Sequence, residues 1–198
     1  MPGKLLPLLL APVLLWCGGC SVNQKGSNGN DDVKIQTPLG DLKVKTNDAV
    51  EISEIGIPVY PGATPVQEEK GKDAADVDLS FGNFRLRVKT ATYRTPDSPE
   101  KVRTFYRDKL AHFGTVLECK DNYPLPGSPT HTPEGLTCGK NKDSAEGKGF
   151  NLNIAGKDGI ELKTGSKTHQ HIVALENEAA GTKLKLVELN LPRDGESN

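Results

Sequence analysis

The sequence predicts an α+β domain, a largely antiparallel sheet with one principal helix packed on it, over residues 33 to 192. Three observations predict it. Apolar and polar residues alternate over several short segments bounded by Gly, Pro and Asn, the period of strands with one covered face. A single stretch, Ser98 to Phe113, instead repeats its apolar residues at helical spacing. The strand-like segments also follow one another through tight turns rather than alternating with helices, which favours antiparallel pairing over βαβ units.

Composition bounds the size and class of this domain. Hydrophobic residues are 35% of the 198-residue chain and Gly adds 21 positions, enough for one lean core. The net charge is −1, and −2 once residues 1 to 19, whose only charged side chain is Lys4, are set aside. Bases such as Arg85, Arg87 and Lys89 stand near acids such as Asp73, Asp76 and Asp78, the pattern of a mixed solvated surface. That balance argues against an electrostatic nucleic-acid binder.

Ahead of the domain, residues 1 to 19 have the three-part layout of a secretory signal: Lys4, an apolar run from Leu5 to Cys17, then glycines. The run is about 13 residues and contains Pro7 and Pro12, too short for a helix that needs roughly 20 residues to cross a bilayer. Gly18, Gly19 and Cys20 resemble the lipobox of bacterial lipoproteins, with Cys17 standing where that family usually has Leu. The resemblance implies cleavage before Cys20, thioether-linked diacylglycerol and an amide-linked acyl chain on that residue, and attachment to a membrane by several chains together. An ordinary cleaved signal followed by a chance cysteine is the alternative. Ser21 resembles the sorting residue of lipoproteins sent to the outer membrane. The implied address is the cell envelope, at the outer membrane facing the periplasm. Residues 20 to 32 are then expected to be the lipid anchor and a flexible tether, because the Gly, Ser and Asn of this segment cannot bury a core. A Gly-rich coil of that length spans about 20 Å.

Within the domain, Val33 and Ile35, then Leu42 and Val44, fall on single faces and predict a hairpin turning at Pro38 to Gly40. Pro58, Pro61 and Pro65 in residues 54 to 66 prohibit a helix and predict an irregular connector into an edge strand. Val77, Leu79 and Phe81, then Phe84, Leu86 and Val88, alternate around Gly82 and Asn83 as a second hairpin. Ser98 can cap the helix, Pro99 suits its first turn and Glu100 its positive end. Its stripe of Val102, Phe105, Tyr106, Leu110 and Phe113 must lie on the sheet, and Gly114 ends it. Further strands are expected at residues 115 to 119, 135 to 138, 149 to 154, 160 to 164, 171 to 176 and 182 to 190, with turns at Gly156 to Gly159 and Ala179 to Thr182. Residues 193 to 198 are expected to be a disordered tail.

The pieces Ile57 to Ala63 and Thr95 to Leu110, with TPLG-x-L-x-V at residues 37 to 44, are similar to a group of uncharacterised bacterial secreted and lipid-anchored proteins. In that group a YPGA element precedes a strand pair and a DSPEKV-x-x-FY helix. The resemblance covers residues 33 to about 115, supports the fold and implies no activity.

Candidate chemistry is sparse. With Cys20 acylated, Cys119 and Cys138 are the cysteines left in the mature chain, and an exported protein sits where disulfides persist, so a bridge between them is expected. The alternative is a reactive thiol with a base such as His131. His169 and His171 flank Gln170 and fall on one side of a strand, two candidate nitrogens for a metal or else a solvated edge. Phe105 and Tyr106 are candidate lining of an apolar ligand site, against the plainer reading of core packing. Asp76, Asp78 and Glu118 qualify as an acid/base pair only if the fold gathers them. The chain lacks the G-x-S-x-G, H-E-x-x-H, Walker and dinucleotide signatures, and no cofactor is expected. The leading expectation is a lipid-anchored envelope protein with a partner-binding or structural role. A carrier of a small apolar ligand, or a small hydrolase or metal-dependent enzyme, are the alternatives.

Overall fold

The computed structural model describes residues 21–27, 30–38, 40–46, 55–66, 74–81, 84–139 and 154–192. Hairpins build the first half. Strands β1 (Ser21–Ser27), β2 (Asn30–Thr37) and β3 (Gly40–Thr46) form a meander, and Thr37 Oγ1 closes its second turn by accepting from Gly40 N at 3.1 Å. After a connector come β4 (Thr64–Pro65), β5 (Ala74–Phe81) and the long β6 (Phe84–Thr95). The helix α1 (Pro99–Leu110) follows and tightens into a single 3-10 turn at Ala111–Phe113. The chain finishes with β7 (Leu117–Lys120), β8 (Tyr123–Pro124), β9 (Ile160–Gly165), β10 (His169–Glu178) and β11 (Gly181–Asn190). The sheet order is β1-β2-β3-β5-β6-β11-β10-β9-β7-β8, with β4 also paired to β6. Every ladder among the described residues is antiparallel.

The antiparallel sheet with one principal helix is as expected, but the balance is mainly β: among the described residues one 12-residue helix serves a sheet of eleven strands. Ser98 caps α1, its side chain accepting from Lys101 N, and Gly114 at φ 133° ends the turn that follows. The expected strand at residues 135 to 138 is reduced to a single bridge, His131 to Thr137. Residues 149 to 153 of another expected strand, the leader, Cys20 and residues 193 to 198 lie outside the described residues. The segment expected as a tether differs most. Ser21–Ser27 pairs in register with Asn30–Gln36, because a ladder is held by backbone N–H and C=O groups and needs no apolar side chains.

The connector is a built element. Pro61 and Gly62 occupy the corners of a tight turn closed by Ala63 N donating to Tyr60 O at 3.0 Å, and Gly62 at φ 75° supplies the left-handed corner that a type II turn requires. This turn drops Ile55, Ile57 and Tyr60 into the main core. Tyr60 donates to Asp97 Oδ2 at 2.7 Å and meets Phe105 edge to face at 5.1 Å. The segments Ile57 to Ala63 and Thr95 to Leu110 therefore touch.

Burial changes side along the sheet. On the face toward α1, Tyr93, Leu175, Leu184, Leu186, Val173 and Leu162 form the core with Val102, Tyr106 and Leu110 of the helix. Toward the meander that same face carries Lys34, Lys43, Asp78 and Arg87 in one cross-strand row. The meander's apolar side chains stand on the opposite face, in the rows Val33-Val44-Val77-Val88 and Ile35-Leu42-Leu79-Leu86, each of them half-buried. Leu86 and Val88 join these rows to a second small core of Ile172, Val187 and Leu189.

Candidate functional site

Where the helix-side face passes from apolar to charged, two cross-strand rows bring together the site that sequence spacing only half revealed. The hairpin of β10 and β11 sets His171 opposite Glu188 and His169 opposite Asn190. The neighbouring ladders extend the first row to Lys89 on β6 and Thr164 on β9. His169 Nε2 lies 3.2 Å from Glu188 Oε1, and one ligand atom each from His169, His171 and Glu188 fall within 4.8 Å of one another. His169 was paired with His171 from the alternation alone; Glu188 was missed because it comes from another strand. The expected turn at Ala179 to Thr182 runs too far along the chain: the loop is Ala179 and Ala180, with Glu178 opposite Gly181, and counting back from that pair brings Glu188 opposite His171.

The surroundings grade from buried to open. His171 is buried, Glu188 is half-buried and His169 is exposed. The Phe113 ring stacks on the His171 imidazole at 4.0 Å between centroids and 22° between planes, so the turn after α1 fixes the inner histidine. Burial, with the adjacent His169, holds His171 below the ordinary imidazole range despite the opposing pull of Glu188. It is therefore a neutral base at pH 7. Glu188 uses its two oxygens differently: Oε1 accepts from Asn190 Nδ2 at 3.2 Å, whereas Oε2 lies 3.8 Å from the buried Lys89 ammonium. Thr164 is fully buried and its hydroxyl has no hydrogen-bond partner among the described residues, an uncommon state that costs roughly 1–3 kcal/mol if uncompensated. Two glycines in the left-handed region border the cluster. A Cβ on Gly56 would sit 3.4 Å from His171 Nε2, and one on Gly114 would sit 3.4 Å from Thr164 Oγ1.

The other sequence-derived candidates lie apart from this site. Cys119 and Cys138 meet as a disulfide pair with Cα atoms 5.5 Å apart, which leaves neither sulfur as a nucleophile for His131. Together with Leu117 and Leu136 they form a satellite core beneath the proline-bearing loop. Asp121 and Asn122, both at positive φ, turn β7 into β8, as a two-residue hairpin favours. Tyr106 is fully buried in the main core and Phe105 packs partly buried against it, edge to face at 5.1 Å; both serve the helix–sheet contact. Asp76 and Asp78 sit on β5 and Glu118 on β7, five strand steps away, or about 24 Å, so they form no acid/base pair. Glu118 instead binds α1: its carboxylate accepts from Arg103 and Arg107. Burial raises this carboxyl, but the hydrogen bonds from Arg107 and Arg103 outweigh it and leave it below the ordinary range. Among the described residues no helix is long and apolar enough to cross a membrane. Comparison with family models, with curated proteins and with solved structures returns no match to this chain.

Proposed function

We propose that the protein is an exported envelope lipoprotein, held to a bilayer by lipid on Cys20, whose work is binding, with the N-terminal meander resting its apolar face on that bilayer. The observation that carries this reading is the pair of apolar rows, Val33-Val44-Val77-Val88 and Ile35-Leu42-Leu79-Leu86, on the face away from the helix. The opposite side of the same strands is charged, the two-sided character of a surface that lies in an interface. Position supports the bilayer as the occupant. Strand β1 begins at Ser21, one residue after the proposed anchor, so there is no slack between lipid and sheet edge. The outer membrane, periplasmic side, follows from the resemblance of Ser21 to a sorting residue and belongs to the same proposal.

A carrier of a small apolar ligand between helix and sheet is the less favoured reading, because Tyr106, Val102 and Leu110 are fully buried against the sheet. The test is binding of the purified lipid-free Cys20→Ala protein to liposomes, compared with a Leu42→Asp, Val77→Asp variant of it. Vesicle association that falls at least tenfold in the variant supports the reading. Equal association of both forms overturns it, as does dimerisation through this face with no vesicle binding. Intact mass of the native protein tests the anchor itself: a polypeptide beginning at Met1 without acyl chains removes it.

A further inference from the structure

We infer that His169, His171 and Glu188 form a binding site for a divalent transition metal of the zinc class, on the helix-side face of the sheet where α1 ends. Imidazole nitrogens and a carboxylate oxygen are the donors such an ion prefers, and three protein donors leave a position for water. The separations fit. Bonds of about 2.0–2.1 Å at tetrahedral angles place donor atoms about 3.3 Å apart, and His169 Nε2 and Glu188 Oε1 are already 3.2 Å apart. His171 closes the remaining gap, its atom lying within 4.8 Å of the others.

Three features beyond the donors argue for a ligand rather than a plain ion pair between His169 and Glu188. The stacked Phe113 ring holds the buried His171 in place, and a fixed ligand binds with less ordering cost. The Thr164 hydroxyl, which has no partner among the described residues and sits on the residue directly across the ladder from His171, would gain one from metal-bound water, the outer-shell contact that metal sites use. Gly56 keeps the space beside His171 Nε2 clear of a Cβ. Against the metal stands Lys89, whose ammonium lies 3.8 Å from Glu188 Oε2. It faces Oε2, while Oε1 accepts from Asn190 Nδ2 and keeps a second lone pair for the ion, so Lys89 lowers the affinity without blocking the site, because like charges repel at this range.

The test uses the untagged full chain, stripped with a chelator and titrated with Zn2+ and with Co2+. The expected result is one ion per chain, with Co2+ absorption of tetrahedral intensity and perturbed ring signals of His169 and His171 by NMR. His169→Ala changes an exposed side chain and cannot be dismissed as a folding failure; it and Glu188→Gln each weaken Zn2+ binding by about 100-fold, at or beyond the upper end of the 10–100-fold range for outer-shell changes. Lys89→Met tightens Zn2+ binding by about tenfold, which a purely structural ion pair gives no reason to expect. Thr164→Val weakens it by about tenfold. Zn2+ affinity that is the same in the parent, His169→Ala and Glu188→Gln proteins overturns the inference, as does binding that moves only with His112→Ala or His131→Ala.

Discussion

Strands β2, β3 and β5 share a sheet, a ladder sense and a period with β9, β10 and β11, yet the two groups meet water differently. In the second group consecutive residues are buried, as at Ile172, Val173, Ala174 and Leu175, because α1 covers one face and a small core fills the other. In the first, exposed Lys34 and Lys43 alternate with half-buried Val33, Ile35, Leu42 and Val44. The difference teaches that alternation assigns a side chain to a face without saying what will cover that face. The seam lies at β6, whose Ala91 and Tyr93 join the core under α1 while its Arg87 continues the charged row of the meander.

Removing side chains on either side of that seam should give unequal costs. Leu184→Ala, at a fully buried position under the helix, should lose about 2–5 kcal/mol of stability. Leu42→Ala in the meander should lose about 1 kcal/mol or less, since its side chain is only half-buried. Urea denaturation of both variants checks this. Equal losses would mean that the meander face is as tightly covered as the core.

Intermediate in size is the satellite core. Replacing Cys119 and Cys138 together by Ser should cost roughly 3 kcal/mol, the chain-entropy value for a loop closed over 19 residues. Hydrogen exchange should then rise in β7 and β8 while β2 and β3 keep their rates. A uniform rise would show that the loop and the meander open together.

Smaller still is the clasp between α1 and β7. Glu118→Gln should destabilise by about 2 kcal/mol, below the 3–5 kcal/mol of a fully buried pair, because Arg107 is 46% exposed and solvent screens its share. The folded-state value of Glu118 is lowered from its ordinary 4.5. Its contribution is thus present above pH 4.5 and is lost as the pH falls through the folded-state value. Chemical denaturation from pH 7 to pH 3 should show a gap between parent and variant that closes over the acid range; a gap that widens there would reverse the sign.

Much of this architecture was legible in the residues. Period-two alternation placed β2, β3, β5 and β6, strand-like runs between turns placed β10 and β11, and Ser98, Pro99 and Gly114 bounded the helical segment to within its final 3-10 turn. Strand β1 was not legible, since SVNQKGS offers no apolar face and its pairing is a property of the backbone. Between Cys119 and Cys138 only the strand expected at residues 135 to 138 was read, and it is a single bridge, because the order of this loop comes from a disulfide, the short β7–β8 ladder and that bridge rather than from periodicity. Of the site, His169 and His171 were visible as a pair. Glu188 and Thr164 come from two other strands, and a slip of one residue in the β10–β11 ladder would have replaced Glu188 with Val187 or Leu189.

Side-chain footprinting of the lipid-free Cys20→Ala protein, with and without liposomes, tests the central claim most directly. The account predicts that Val33, Ile35, Leu42, Val44, Val77 and Leu79 are modified in water and protected on vesicles, while Leu184 and Tyr106 stay unmodified in both. Meander side chains that resist modification in water, or that react equally on vesicles, would contradict it.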